Sequence, residues 1–186
     1  PSFLALSAVL LSACGAVNAI NPFADKVVVP DCPQIGLLKD ADHMTVFRKG
    51  PGRDISDVVF ETEIKGFKGE CEYVGDPGGY TEGVLNLRVS FDMILGPAAR
   101  GREHQLKYFI AVPDFFPRTD GKSGFSAAVK FPPRRNRVTF TDDPLEIKIP
   151  LDEIRKGPET KVVISLALSR DQLILNRSDT KTRLRK

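Results

Sequence analysis

The chain of 186 residues has no tryptophan, two methionines, two histidines and three cysteines, and each shortage narrows what it can be. Without tryptophan it lacks the core residue that packs on the disulfide of antibody-type domains. The histidines, His43 and His104, have no second histidine or free cysteine three or four residues away, so the common zinc spacings are missing. No serine lies in a Gly-x-Ser-x-Gly elbow, although a Ser-His-Asp set stays open because such triads recur in any chain order. The stretch Gly121-Lys122-Ser123 is similar to the end of a phosphate-binding loop, but Phe116 stands where the first glycine is needed. The acidic pairs Asp142-Asp143 and Asp152-Glu153 lack the alternating oxygen ligands of a calcium loop and fit a turn and a helix start. These gaps argue for a protein that is not an enzyme and carries no metal and no small-molecule cofactor.

Net charge is also in short supply. The net charge is only +3, and the excess collects at Arg134, Arg135 and Arg137 and in the tail at Lys181, Arg183, Arg185 and Lys186. A broad basic face with interleaved aromatics is not visible, which speaks against nucleic acid as a partner.

What is present is β signal. Short runs of Val, Ile, Phe, Tyr and Thr recur between glycine and proline turns, and predict strands at 43–48, 57–64, 69–74, 83–94, 105–112, 125–131, 137–141, 145–149 and 161–168. Leu85, Leu87, Val89 and Phe91 alternate with polar residues, as do Leu145, Ile147 and Ile149, so one face of each strand belongs to a core. Gly50-Pro51-Gly52, Gly75-Asp76-Pro77-Gly78-Gly79 and Asp120-Gly121 supply turns at strand spacing. A single short helix is expected at Leu151 to Lys156, between Pro150 and Gly157. Many strands without βαβ alternation predict an all-β fold, an antiparallel sandwich of immunoglobulin or fibronectin type III character.

The N-terminus carries a different message. Residues 1–13 are mostly apolar, too few to span a bilayer, and end in small residues before Cys14. Leu11-Ser12-Ala13-Cys14 resembles a bacterial lipobox. The resemblance implies a signal peptide over 1–13, with a missing basic start expected before Pro1, and lipid on Cys14 as the one covalent group. Several acyl chains exceed what stable anchoring requires. Gly15 is not the aspartate of inner-membrane retention, so the outer membrane is favoured, with the domain facing the periplasm or the cell surface. With one sandwich behind a lipobox, the chain resembles small lipoproteins of Gram-negative bacteria, of an alphaproteobacterial type.

That reading sets the expected organisation: a lipidated N-terminus and extended tether over 14–42, the sandwich over 43–176, and a flexible basic tail over 177–186. The prolines at 22, 30 and 33 suit the tether, and Val27 to Val29 offer an alternative edge strand. Export also places Cys32 and Cys71 where disulfides form, so a bridge between them is expected, two buried free thiols being the alternative.

One segment invites a partner. Between Asp114 and Arg137 lie Phe115, Phe116, Arg118, Arg134, Arg135 and Arg137, the aromatic and arginine types enriched at protein interfaces. The alternative has the phenylalanines capping the core and the arginines in water. The resulting expectation is an envelope lipoprotein, membrane-bound through its lipid, that binds another envelope protein as an accessory or structural subunit. A glycan- or peptidoglycan-binding module is the alternative, poorly served by three tyrosines and no tryptophan.

Overall fold

The computed structural model describes residues 29–77, 79–118, 121–151 and 157–183, with side chains to 178. Among the described residues, nine strands form two sheets packed face to face. They are β1 (Gln34–Leu37), β2 (His43–Phe47), β3 (Val58–Asp76), β4 (Gly79–Leu95), β5 (Glu103–Ala111), β6 (Lys122–Lys130), β7 (Arg137–Thr141), β8 (Leu145–Pro150) and β9 (Lys161–Leu166), followed by helix α1 (Arg170–Arg183). One sheet has the order β1-β9-β5-β6. The other runs β2-β3-β4-β7, with β8 pairing further along β4. All pairs are antiparallel except β1 with β9. The all-β, immunoglobulin-like sandwich expected from the alternation is therefore the fold.

The core forms where the two inner faces meet. Leu85, Leu87, Val89, Phe91 and Met93 alternate along β4 and are buried, facing Leu106, Tyr108 and Ile110 of β5 and Val162 and Ile164 of β9. Phe91 and Tyr108 bring their rings to 4.9 Å across the sheets. Burying each such side chain contributes roughly 1.5–3 kcal/mol.

The segments predicted as separate strands at 57–64 and 69–74 are one strand, β3, of 19 residues. Its alternation breaks because the register shifts between Ile64 and Gly66, leaving Lys65 as the extra residue of a bulge. Before it, Phe60, Thr62 and Ile64 face inward. After it, the positions paired with buried β4 residues are Phe67 with Val89, Gly69 with Leu87 and Cys71 with Leu85. A Cβ at Gly69 would meet Ile35 Cδ1 at 2.5 Å, so the glycine leaves room for the end of that side chain.

The shift lets Cys71 meet Cys32, and the two form the expected disulfide, with Cα atoms 5.7 Å apart. It joins the segment before β1 to the half of the β3–β4 hairpin that β8 flanks.

Three expectations are corrected. The tether does not last to residue 42, because Gln34–Leu37 pairs in parallel with Lys161–Ile164 as an edge strand. The tail does not begin at 177, because α1 continues to Arg183. The helix expected at 151–156 is not the single one, because α1 was not foreseen; from residue 152 to 156 that segment lies outside the described residues.

Helix α1 opens on a capping box. Ser169 Oγ accepts from the Gln172 backbone N–H at 3.2 Å, and Gln172 Oε1 accepts from the Ser169 N–H at 2.8 Å. The helix then closes the free edge of β2. Gln172 Nε2 donates to the Thr45 carbonyl at 3.2 Å, and Asn176 Nδ2 donates to the His43 and Asp40 carbonyls at 2.8 and 2.9 Å. Four residues of helix rise about 6 Å and two residues of strand rise about 6.6 Å, so amides at i and i+4 meet carbonyls at i and i+2.

Candidate functional site

The six residues singled out between Asp114 and Arg137 do not form one surface. Phe115, Phe116 and Arg118 follow β5, whereas Arg134 and Arg135 follow β6, which runs back antiparallel to β5. The length of β6 separates the two groups by roughly 27 Å.

At the first end, Val112 to Arg118 form a tight connection. The Phe115 ring is buried at 1% exposure, while its neighbour Phe116 is 76% exposed. Gly121 permits the turn, since a Cβ there would meet the Phe115 backbone at 2.9 Å, and its carbonyl accepts from the Val112 N–H at 2.9 Å. The Arg118 guanidinium lies 5.5 Å from the Phe115 ring centre. Of the two phenylalanines, then, Phe115 belongs to the core and Phe116 to the surface. Lys122, of the supposed phosphate-loop stretch, sits 3.8 Å over the Phe109 ring.

The other end gathers three loops, 48–57, 96–102 and 131–136. Gly96 and Ala98 donate to the carbonyls of Val59 and Val58 at 2.9 Å, which ties the middle loop to the start of β3. Arg102 then clips the third loop to it, donating to the carbonyls of Phe131 at 3.2 Å, Pro132 at 2.7 Å and Arg135. In the first loop Asp54 and Asp57 cap a 3-10 turn, Ile55–Asp57, that holds Ile55 out at 78% exposure. Arg48 Nε stands 2.5 Å from the buried Asp57 carboxylate, out of hydrogen-bond alignment, as a charge contact. Gly52 makes room for that carboxylate, with which a Cβ would collide.

Arg134 lies at the tip of the third loop with φ +62°. The Arg135 N–H donates to the Pro132 carbonyl at 3.2 Å, closing a turn with Arg134 at its third position. Turns with positive φ there favour glycine or asparagine. A side chain in the left-handed region costs roughly 1–2 kcal/mol, so an arginine stands where the backbone favours glycine.

Arg137 is exposed as well, but its charge is engaged. Its guanidinium donates to Asp92 Oδ2 at 2.8 Å, while Thr139 donates to Asp92 Oδ1 at 2.5 Å and Lys65 Nζ stands 3.6 Å away. Hydrogen bonds from Thr139 and Arg137 hold the Asp92 carboxyl below the usual carboxylate range, against the opposing effect of burial. Asp92 borders a polar cleft of about 360 Å³ between α1 and the outer sheet face, with Asp42, His43, Glu61, Glu63 and Asn176.

His43 bonds through Nδ1 to Asp42 at 2.8 Å, and no serine lines that cleft. His104 lies between the rings of Phe60 and Phe131, at 5.4 and 6.2 Å. Asp142 accepts from the Tyr108 hydroxyl at 2.6 Å, which explains the acidic pair at 142–143 as a structural tie between sheets. Among the described residues, no three acidic, histidine or cysteine side chains group as metal ligands. Cys14 and the stretch read as a signal peptide lie outside the described residues.

No protein-family model, no curated protein and no solved structure matches the chain.

Proposed function

We propose that this chain is a non-enzymatic lipoprotein of the bacterial cell envelope, anchored through Cys14, whose sandwich binds another envelope protein as an accessory subunit. The observation that carries the binding half of this reading is Phe116, 76% exposed on a connection pinned by its buried neighbour Phe115. A large apolar side chain turned outward beside Arg118 has the composition of an interface anchor. The lipobox resemblance of Leu11-Ser12-Ala13-Cys14 supports the anchored half.

The glycan alternative has less behind it. Tyr108 is buried. The Tyr73 hydroxyl is occupied by the Asp31 carbonyl at 2.5 Å, and its ring lies against Gly157.

The test is purification of the full-length protein, crosslinked in its native envelope, beside Phe116→Asp and Cys14→Ser forms. The reading expects a stoichiometric protein partner lost with Phe116→Asp and release from the membrane with Cys14→Ser. Recovery of the protein alone, or on cell-wall polymer, refutes the protein-binding half, and membrane retention of Cys14→Ser refutes the anchor.

A further inference from the structure

The three-loop end carries charge that the fold does not consume. Arg48 is engaged by Asp57, Arg53 by the carbonyls of Gly50 and Gly52, and Arg102 by the third loop. Lys49, Arg100, Arg134 and Arg135 are exposed, and their side chains have no hydrogen bond or ion pair among the described residues. The acids of this end are already committed: Asp57 faces Arg48, Glu103 faces Lys130 at 3.5 Å, and Asp54 caps the turn beneath Ile55. What remains is four cations on three loops around one outward isoleucine.

We propose that this end docks on an anionic phospholipid surface, with Ile55 entering the headgroup layer and Lys49, Arg100, Arg134 and Arg135 meeting the phosphates. Three observations select a bilayer over an acidic polypeptide. The cations sit on separate loops at the tips of β2, β3, β4 and β7, which span roughly 15 Å at ordinary strand spacing. They thus present an area rather than a line. The nearest groove, beside α1, includes Arg48, Lys49 and Arg53 but none of Arg100, Arg134 and Arg135. The isoleucine has nothing to offer a polar chain, but suits the acyl boundary that apolar residues of peripheral proteins reach. Arg134 stands at the left-handed position of its turn, where glycine fits more easily, so its guanidinium can be tested apart from the turn that carries it.

The experiment is cosedimentation of the full chain with vesicles of phosphatidylcholine alone and of phosphatidylcholine with 30% phosphatidylglycerol, at low and high salt. The expected result is binding to the anionic vesicles at least tenfold tighter, lost in high salt and lost in Arg134→Glu/Arg135→Glu. Ile55→Ser weakens it, and Lys107→Glu, on β5, leaves it unchanged. Insertion of the apolar N-terminus alone would give binding indifferent to lipid charge and to these variants, which overturns the proposal. So does capture by polyglutamate without capture by anionic vesicles. Arg134→Gly separates folding from docking: it is expected to melt no lower than the parent while binding anionic vesicles less tightly, and unchanged binding overturns the role of that residue.

Discussion

Asn176 of α1 donates its side-chain amide to the carbonyl of His43 on β2, 2.8 Å away, and is itself only 2% exposed. The helix therefore covers a strand edge by hydrogen bonding more than by apolar contact. Truncation by Asn176→Ala leaves the carbonyls of Asp40 and His43 without this donor and is expected to cost about 1–3 kcal/mol. Thermal melts measure the loss. Hydrogen exchange at β2 and α1 should accelerate together, and the bared edge should favour self-association.

The disulfide closes a loop of 39 residues. In the chain-entropy model that contributes roughly 4 kcal/mol. Reduction, or Cys32→Ser/Cys71→Ser, is expected to lower the unfolding free energy by up to about 4 kcal/mol and the melting temperature with it. Nonreducing and reducing gels should show a mobility difference, and native alkylation should leave both thiols unlabelled.

Acid should unfold the protein partly through Asp92. Its carboxyl titrates below its ordinary value because Thr139 and Arg137 bond its charged form. The resulting stabilisation is present above the unfolded value of about 4 and disappears as pH falls through the lower folded value. In Asp92→Asn the stability curve between pH 5 and pH 2, read by denaturant melts, should be flatter, with lower stability at neutral pH.

Alkali acts through Tyr108, whose phenol is pushed up by burial, then by its hydrogen bond to Asp142 and that carboxylate's charge. The favoured state is the neutral phenol, so its contribution is full below about pH 10 and is lost as pH rises further. Tyr108→Phe should cost about 1 kcal/mol near neutrality and remove the slowest-titrating phenol from an ultraviolet titration. Its loss of stability above pH 10 should be smaller than the parent's.

The sheets were legible in the sequence wherever alternation ran unbroken, as along β4 and β8. Strand β1 was not, because four residues around Gly36 show no alternation and draw their stability from pairing with β9. Helix α1 escaped because Leu173, Ile174 and Leu175 are consecutive rather than spaced at a helical period. The S-x-x-Q box at Ser169 to Gln172 was the readable sign of it.

The candidate surface was misjudged for a different reason. Phe116 and Arg134 are 18 positions apart in sequence, but the strand between them is straight, and straight strands convert nearness in sequence into distance. The loops that do adjoin Arg134 begin at residues 48 and 96. Only the strand order places them there.

The bulge at Lys65 carries a consequence for how this chain tolerates change. Upstream of it, inward positions of β3 are even-numbered; downstream they are odd-numbered. Lys65 acts on the sheet as an inserted base acts on a reading frame, moving the inward set from one parity to the other. Deleting it brings Gly66 next to Ile64 against the consecutive partners Ser90 and Phe91, so the ladder closes up with Phe67, Gly69 and Cys71 still opposite Val89, Leu87 and Leu85. A single-residue deletion between Phe67 and Glu70 has the opposite effect, turning Cys71 to the outer face and away from Cys32, so Lys65 is the position in this stretch where the hairpin best tolerates losing a residue.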